Sequence, residues 1–385
     1  MKLQENSIPL LDNARTERRL FSGLIDFAIM CILEFAIFLG VIFQIIKIIP
    51  AYTTADAKRE YEMNILYDMS AEAKLIVKKD DGTICKENEM FYRYVYKEIL
   101  LSYNENRLDF INDGINEIDN PYGVSPSSKD ENELIYFFTQ YAYERNLLDY
   151  EGLEPLEYFV TKIGSSFNLD KFFIIDETYQ DIPVLKTSIA ITYYKELKDN
   201  KINELNDLYE YYVGVFKKAS ILVMDQPEYK EHYKIYEDAY FSSISYIAGG
   251  ILLSHTVSYL IVYLIIPLFA FGYGSTIGRR ILKIVIVDGE KEISKAKIVL
   301  NAMLYYLQSY FSVFISFGLF FGLNMLNAPL FIAGSLQINN SLFSIISLIL
   351  FIISYSFIFR KSLRTLNDSI LSLDFKDARH FIQGK

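Results

Sequence analysis

The sequence predicts an all-α polytopic membrane protein, with four transmembrane helices in two in-out-in hairpins and a mostly helical extracytoplasmic domain. The apolar residues of the 385-residue chain are unevenly spread, and four long runs consist mainly of them. Charge is divided unevenly, since residues 51–240 hold 21 Lys and Arg against 37 Asp and Glu, a net charge of −16, whereas the remainder carries +6. The segments before the first run, after the second and after the fourth are basic, and short basic segments stay in the cytoplasm.

The domain boundaries follow these runs. We predict a cytoplasmic N-terminus at 1–19, transmembrane helices at 20–49, 241–271, 298–326 and 342–359, an extracytoplasmic domain at 50–240, a cytoplasmic connector at 272–297, a short extracytoplasmic loop at 327–341 and a cytoplasmic tail at 360–385. Both termini are then inside. The short connectors decide this topology, because long domains cross a membrane regardless of their charge.

The first apolar run is predicted to be an uncleaved membrane helix. As a helix, residues 20–49 would extend about 45 Å, more than the hydrocarbon core of about 30 Å, so the helix is tilted or projects beyond the bilayer. A secretory signal peptide is the rival interpretation. The run is about twice as long as the apolar region of a signal, contains Asp26 and Glu34, and ends without a small-residue cleavage site, which favours the helix.

The acidic insert is predicted to be mostly helical and large enough for a core of its own. Apolar residues recur at helical spacing in Phe91–Leu101, Leu134–Leu148 and Tyr193–Leu222. Leu75–Lys86 has the turn residues of a small hairpin. No part of the insert has the spacing of an enzyme site, so no enzymatic activity is predicted, and its acidic pairs are interpreted as solvated surface.

The chain offers few residues for metal, disulfide or nucleotide chemistry. Cys31 lies in the first apolar run and Cys85 in the insert, so no disulfide is expected between them. Three widely spaced histidines without a CxxC pair leave no recognisable zinc site. The glycines of residues 272–278 follow a membrane helix and not a strand, which argues against a phosphate loop. We therefore expect no metal, no cofactor and no nucleic-acid partner.

A repeat links the connector to the tail. Thr276–Ile284 aligns without a gap with Thr365–Leu373, and the following Asp288 aligns with Asp377. Each copy directly follows a helix predicted to leave the membrane on the cytoplasmic side. The two hairpins therefore run the same way, and a pseudo-twofold axis between them would lie along the membrane normal.

These segments resemble the RDD family of bacterial membrane proteins, which is named for one Arg and two Asp. Arg19 matches the Arg and Asp26 the first Asp, within the stretch RLFSGLID; Asp368 matches the second Asp, within RTLNDSIL. The connector resembles the family's Gly-x-Thr-x-Gly-Lys-Arg signature. The residues that carry the resemblance are Arg19, Asp26, Gly274, Thr276, Gly278, Arg279, Arg280 and Asp368.

The resemblance covers the four-helix part and none of residues 51–240. It implies the fold and a location in the bacterial cell membrane, while the family's activity is largely unsettled, with transport proposed. The chain departs from the family in two ways. Asn367 stands where the family often has His, and the long insert is unusual for a family of compact members.

Asp26 and Glu34 are the intramembrane ionisable candidates. A charged group inside a bilayer costs at least about 2.5 kcal/mol, so such residues usually face a bundle interior or water and are functional candidates. A protonated, neutral Glu34 costs least there, and proton coupling or a hydrogen bond to Ser254 or Ser258 are both open interpretations. Asp26 shares a helix face with Arg19.

The repeat suggests a clasp between the hairpins. Arg279 and Asp368 occupy matching positions with opposite charge, so we expect them to pair, with Arg19 and Asp26 as a second pair.

Two functions compete. The first is membrane transport or ion- or proton-coupled exchange, with Asp26, Glu34 and Asp368 handling cations or protons. Four helices are few for a transporter, so this function predicts a homo-oligomer in the lipid bilayer. The second is a non-catalytic module that binds an extracytoplasmic protein or envelope partner through the insert. The intramembrane acids favour the first function, and the size of the insert favours the second.

Overall fold

The computed structural model describes residues 12–79, 83–175, 182–199, 205–271, 274–289, 291–321, 326–327, 329–333, 336–357 and 364–378. It forms two compact units. Met1–Lys58 and Asp238–Lys385 make up the core unit, and Arg59–Glu237 make up the insert unit.

The fold is mostly helical. The helices are α1 (Thr16–Ile37), α2 (Phe43–Ile48), α3 (Pro50–Glu72), α4 (Glu87–Glu105), α5 (Arg107–Asn112), α6 (Glu133–Tyr136), α7 (Ala142–Glu144), α8 (Pro155–Tyr158), α9 (Leu169–Phe172), α10 (Thr187–Lys198), α11 (Asn206–Met224), α12 (Pro227–Leu260), α13 (Ile277–Ile281), α14 (Lys295–Ser309), α15 (Ser312–Phe321), α16 (Asn340–Ser356) and α17 (Leu366–Leu371). A π-helical turn at Phe38–Ile42 joins α1 to α2, and a longer π-helical segment, Ile261–Ala270, extends α12 past Pro267.

Two helices are long and apolar enough to cross a membrane, Thr16–Ile48 and Pro227–Ala270. A third span requires α14 and the start of α15 to act together, although a bend of 48° separates them. At this bend the Phe311 N–H donates to Ser347 Oγ at 2.9 Å, so a donor freed by the break has a partner on α16. α16 is apolar but has only 17 residues. Four membrane crossings are therefore a prediction that the described helices support in part.

The prediction that the chain is all-α was wrong at the connector, the tail and the short loop. The strands are β1 (Phe173–Ile174), β2 (Val184–Leu185), β3 (Ile284–Asp288), β4 (Lys291–Glu292), β5 (Pro329–Ala333), β6 (Leu336–Asn339) and β7 (Leu373–Asp377). β3 lies between β4 and β7 in a three-stranded antiparallel sheet. A β-branched run ending at Asp288–Gly289 favours this hairpin, and Gly289 has a φ of +64° that glycine adopts without strain.

The two copies of the repeat have the same local structure. Thr276 and Thr365 each cap a short helix, accepting a hydrogen bond from the backbone N–H three residues on. After each helix a residue with positive φ, Lys283 at 53° and Ser372 at 56°, turns the chain into a strand. β3 and β7 pair with Ile286 opposite Phe375, which are matching positions, so the pairing is symmetric about this point.

The insert unit has its own aromatic core. α4, α10 and α11 contribute the fully buried Tyr94, Tyr194 and Tyr212 to a cluster that also includes residues of the short helices. In the segment predicted to be a hairpin, Lys78 and Ile84 form an antiparallel bridge, whereas its turn residues 80–82 lie outside the described residues. Cys85 is buried in this unit and is a free thiol, as is Cys31 of α1.

Candidate functional site

Asp26 of α1 holds the N-terminus of α13. Its buried carboxylate accepts hydrogen bonds from the hydroxyl of Thr276 and from the N–H of Gly278, the latter at 2.7 Å. A carboxylate at this position is stabilised by the unpaired N–H groups and by the positive end of the helix dipole. The first Asp of the family motif therefore joins the first membrane helix to the first copy of the repeat.

Gly278 permits this contact because it lacks a side chain. A Cβ at Gly278 would lie 2.2 Å from the carbonyl oxygen of Ser22, an overlap that the backbone can relieve only by moving. We expect Gly278→Ala to destabilise the core unit by about 1–3 kcal/mol, the usual cost of overpacking. Thermal unfolding in detergent would measure this. Gly40→Ala is the matched control, since nothing lies within 4 Å of its Cβ, and equal melting temperatures of the two variants would contradict the prediction.

Asp368 pairs with Arg19 at the second copy of the repeat. Arg19 Nη2 lies 3.0 Å from Asp368 Oδ2, with the two side chains 7% and 0% exposed. The same oxygen accepts hydrogen bonds from the backbone N–H of Thr365 at 3.1 Å and from its hydroxyl at 2.7 Å, which completes a capping box. The Arg19 guanidinium carbon also lies 4.0 Å from the centroid of the Phe375 ring.

Neither of the two predicted pairs is therefore present. We expected Arg279 with Asp368 and Arg19 with Asp26, but Asp368 is bound by Arg19, and Asp26 by Thr276 and α13. Arg19 precedes Asp26 by two helical turns, roughly 10 Å along α1, so the two side chains reach different helix N-termini. Arg279 donates instead to the carbonyl oxygen of Gly274 at 2.9 Å.

Two basic residues that the sequence analysis missed join the hairpins symmetrically. Arg18 lies 2.6 Å from Asp377 and donates to the carbonyl oxygen of Leu282. Lys297 lies 2.7 Å from Asp288 and donates to the carbonyl oxygen of Leu371 at 3.0 Å. Leu282 and Leu371 are matching positions of the repeat, and so are Asp288 and Asp377. The twofold relation thus includes the starts of α1 and α14. The matching positions of Asp288 and Asp377 were the sequence signal that could have indicated these two contacts.

The same relation makes Tyr305 the counterpart of Asp26. Tyr305 Oη lies 2.7 Å from the hydroxyl of Thr365, the N-cap that matches Thr276. The carboxylate of Asp26 on α1 and the phenol of Tyr305 on α14 thus contact the equivalent N-cap residues Thr276 and Thr365. In the second copy the acid is Asp368, which belongs to the repeat itself.

Glu34 lies in a wholly buried polar cluster in the middle of the core unit. Its carboxylate contacts His255 Nδ1 at 2.7 Å and accepts hydrogen bonds from the hydroxyls of Ser312 and Ser316, both at 2.6 Å. Glu34 and His255 are each 0% exposed. The predicted serine partners were wrong, because Ser254 donates to the carbonyl oxygen of Ile251.

A cavity of about 560 Å³ lies beside this cluster within the core unit. Arg19, Asp26, Arg279 and Asp368 line it, whereas the exposed Arg280 of the same motif does not. Ser309 also lines the cavity, and its hydroxyl lies 3.4 Å from His255 Nε2. The imidazole therefore contacts the buried carboxylate through one nitrogen and a cavity-lining hydroxyl through the other.

Comparison with known proteins places the matched segment in a family. Residues 214–372 match the model of the RDD family. This segment belongs to the RDD family. The expectation that the likeness excludes residues 51–240 was wrong, since the match begins in α11. Arg19 and Asp26 lie outside the matched range, yet in this RDD protein they bind Asp368 and Gly278 inside it. No curated protein and no solved structure shows significant similarity to the chain.

Family membership and the apolar helices identify a membrane protein. Five of the motif residues position the short helices of the repeat. Arg19, Asp26, Gly278 and Asp368 hold the helix caps against α1, and Gly274, with a φ of +62°, turns the chain into α13. Glu34 and His255 lie apart from the motif and carry the buried ionisable groups.

Proposed function

We propose that this RDD protein is a proton-coupled exchanger in which Glu34 and His255 carry the proton. The observation that supports this most directly is the pair itself, an acid and an imidazole in contact at 2.7 Å with no solvent exposure. Buried ionisable groups inside a membrane are costly and usually serve ion or proton pathways. Because the chain spends free energy to keep this pair in an apolar bundle, a role in proton movement accounts for it best.

The geometry supports both protonation states of the pair. With one proton shared between Glu34 and His255, the cluster satisfies both groups. Once that proton leaves, the hydroxyls of Ser312 and Ser316 still donate to the carboxylate, and such charge-assisted hydrogen bonds are the strong ones. Ser309, between His255 and the cavity, supplies a hydroxyl through which a proton can pass.

The membrane arrangement is part of the proposal. We infer four crossings of a bacterial cell membrane, with both termini inside and the acidic insert outside, because the basic segments flank the predicted cytoplasmic ends. The cavity then lies towards the cytoplasmic end of the helices, because Arg19, Arg279 and Asp368 line it, and Phe38, Val313 and Phe317 belong to a separate apolar cluster. The twofold repeat suits alternating access by two hairpins, and four helices suit a homo-oligomer.

Proton flux in proteoliposomes tests this function. Reconstituted protein should dissipate an imposed proton gradient, read by a trapped pH-sensitive dye, when a transported solute is added from a panel of Na⁺, K⁺ and organic anions. Glu34→Gln and His255→Gln should each reduce this flux at least about tenfold, a typical loss for a residue in proton transfer. Glu17→Gln, on the exposed start of α1, is the matched control and should retain the flux.

Full flux in Glu34→Gln would reject the assigned role of the pair. The second candidate function, a binding or assembly module, has one observation in its favour, which is that the insert unit has an extensive aromatic core of its own. Absence of flux from a folded wild-type sample with every solute of the panel would favour that module.

A further inference from the structure

The carboxylates of the cavity are already occupied by donors of the protein. Asp26 accepts from Thr276 and Gly278, one donor to each oxygen. Asp368 accepts from Arg19 and twice from Thr365 at one oxygen, and from the hydroxyl of Tyr305 at the other, at 3.3 Å. A hard cation needs about six oxygen ligands or more, so it would have to displace these donors. The cavity therefore offers few free acceptors to a ligand, although acids line it.

The arginines that line the cavity, by contrast, have N–H groups without a partner among the described residues. A guanidinium has five N–H groups, and among the described residues Arg279 uses one, towards the carbonyl of Gly274. Arg19 Nε is buried and has no hydrogen-bond partner within the described part of the chain. Both guanidinium groups lie against the Phe375 ring, at 4.0 Å for Arg19 and 5.3 Å for Arg279. Two cations thus lie near one point of the cavity wall, and Arg279 has N–H groups there that bind no described residue.

The cavity wall also has an unpaired acceptor. Gln308, only 8% exposed, donates to Asn367 at 3.1 Å, and its own carbonyl oxygen has no partner among the described residues. Leaving buried polar atoms unpaired costs about 1–3 kcal/mol each, so a ligand or ordered water that pairs with them is stabilised. The excess of donors over free acceptors favours a ligand with an anionic group.

Much of the remaining wall is apolar. One to two helical turns beyond Arg19 along α1, Leu24 and Phe27 line the cavity, together with Ile315 and Phe351. Leu24 is 60% exposed on the outside of the bundle, so the apolar end adjoins the predicted lipid-facing surface. A volume of about 560 Å³ lies within the usual range of small-molecule pockets, about 300–1,000 Å³.

We propose that this cavity binds a single-chain amphipathic anion. Its carboxylate or phosphate head contacts the guanidinium groups of Arg279 and Arg19, and its tail lies among Leu24, Phe27 and Phe351. The proposal rests on the exchange function, for which it names the substrate class. It replaces the expectation that Asp26 and Asp368 bind a cation.

Calorimetric titration of the full chain in nanodiscs of zwitterionic lipid tests the site. The probes are octanoate and octyl phosphate, which separate a carboxylate head from a phosphate head, with octyltrimethylammonium as the cationic counterpart and acetate as the head alone. We expect saturable binding of at least one octyl anion, binding at least tenfold weaker for acetate, and none for the octyl cation, after subtraction of empty nanodiscs.

Arg279→Gln should weaken binding of the octyl anion at least tenfold, whereas Arg280→Gln, the exposed neighbour, should leave it unchanged. Arg279→Lys, which keeps the charge, provides a second variant if Arg279→Gln fails to fold, and should bind more weakly than wild type because it lacks the planar fork. Equal binding of the octyl cation, or undiminished binding in the Arg279 variants, would overturn the proposal.

Binding in nanodiscs needs no transport, so the two proposals fail separately. Saturable anion binding without proton flux would support this site and reject the exchange function. Proton flux coupled to Na⁺ without anion binding would reject this site and support the exchange function.

Discussion

Asp368→Asn is expected to destabilise the core unit by about 3–5 kcal/mol, the cost of removing one partner from a buried ion pair. The amide leaves the Arg19 guanidinium, whose side chain is 7% exposed, without a counter-charge. It also weakens the capping box of α17, because a carboxylate oxygen accepts from both the N–H and the hydroxyl of Thr365. Thermal unfolding in detergent, followed by size-exclusion chromatography, measures the loss.

Double mutants identify the partner of Asp368. The double mutant Arg19→Gln/Asp368→Asn lacks both charges. Its loss in free energy of unfolding should therefore be smaller than the sum of the losses in the two single mutants. Arg279→Gln with Asp368→Asn should show losses that simply add, because Arg279 donates to Gly274 and not to Asp368. Coupling to Arg279 in place of Arg19 would restore the clasp that the sequence suggested and contradict the pairing observed here.

The insert unit is expected to lose stability as pH rises, because of Glu98. This carboxyl is 0% exposed on α4, and burial, the largest cause, raises its pKa to about 8 despite hydrogen bonds from Ser127 and Asn132. Its second oxygen has no partner among the described residues, as suits a protonated acid. The folded chain therefore binds this proton more tightly than the unfolded chain, whose Glu pKa is about 4.3.

The difference between the folded and the unfolded pKa of Glu98 determines the direction of the pH dependence. Stability from Glu98 is fully present below the unfolded pKa and falls, by up to about 1.4 kcal/mol per pH unit, until the pH passes the folded pKa near 8. Hydrogen exchange of the α4 amides in the full chain, corrected for the intrinsic rate, should show this loss of protection. Glu98→Gln should remove the dependence, and Glu105→Gln, exposed on the same helix, should keep it. An unchanged slope in Glu98→Gln would contradict the assignment.

The repeat was the part of the fold that the sequence predicted best, and the sheet was the part it missed. Thr276 and Thr365 could be matched because residue identity and spacing are local features, whereas their role as helix caps was not predicted. β3 has a local signal in its β-branched run and its Asp288–Gly289 turn, but its main partner, β7, lies near the other end of the chain. No pattern within either segment indicates that pairing, because the strands are five residues long.

The sequence identified several residues of the site but not their hydrogen-bond partners. Glu34 could be placed inside the bundle from the cost of burying a charge. Its partners depend on which face of α12 turns towards α1, and Ser254 differs from the true partner His255 by one residue, about 100° around a helix. Arg19 and Asp368 were both identified as motif residues, but pairing by matching repeat positions chose the wrong Arg. Only the second copy has an acid in the first turn of its helix.

Infrared difference spectroscopy of the protein in bilayers tests most directly whether Glu34 and His255 exchange a proton. When the pH is stepped between about 5 and 9, part of the change in the protonated-carboxyl band of the wild type should disappear in Glu34→Gln but persist in Glu17→Gln, whereas the part that comes from Glu98 should persist in both variants. A carboxyl band that is the same in wild type and Glu34→Gln at every pH would contradict the account, because Glu34 would then neither take up nor release a proton.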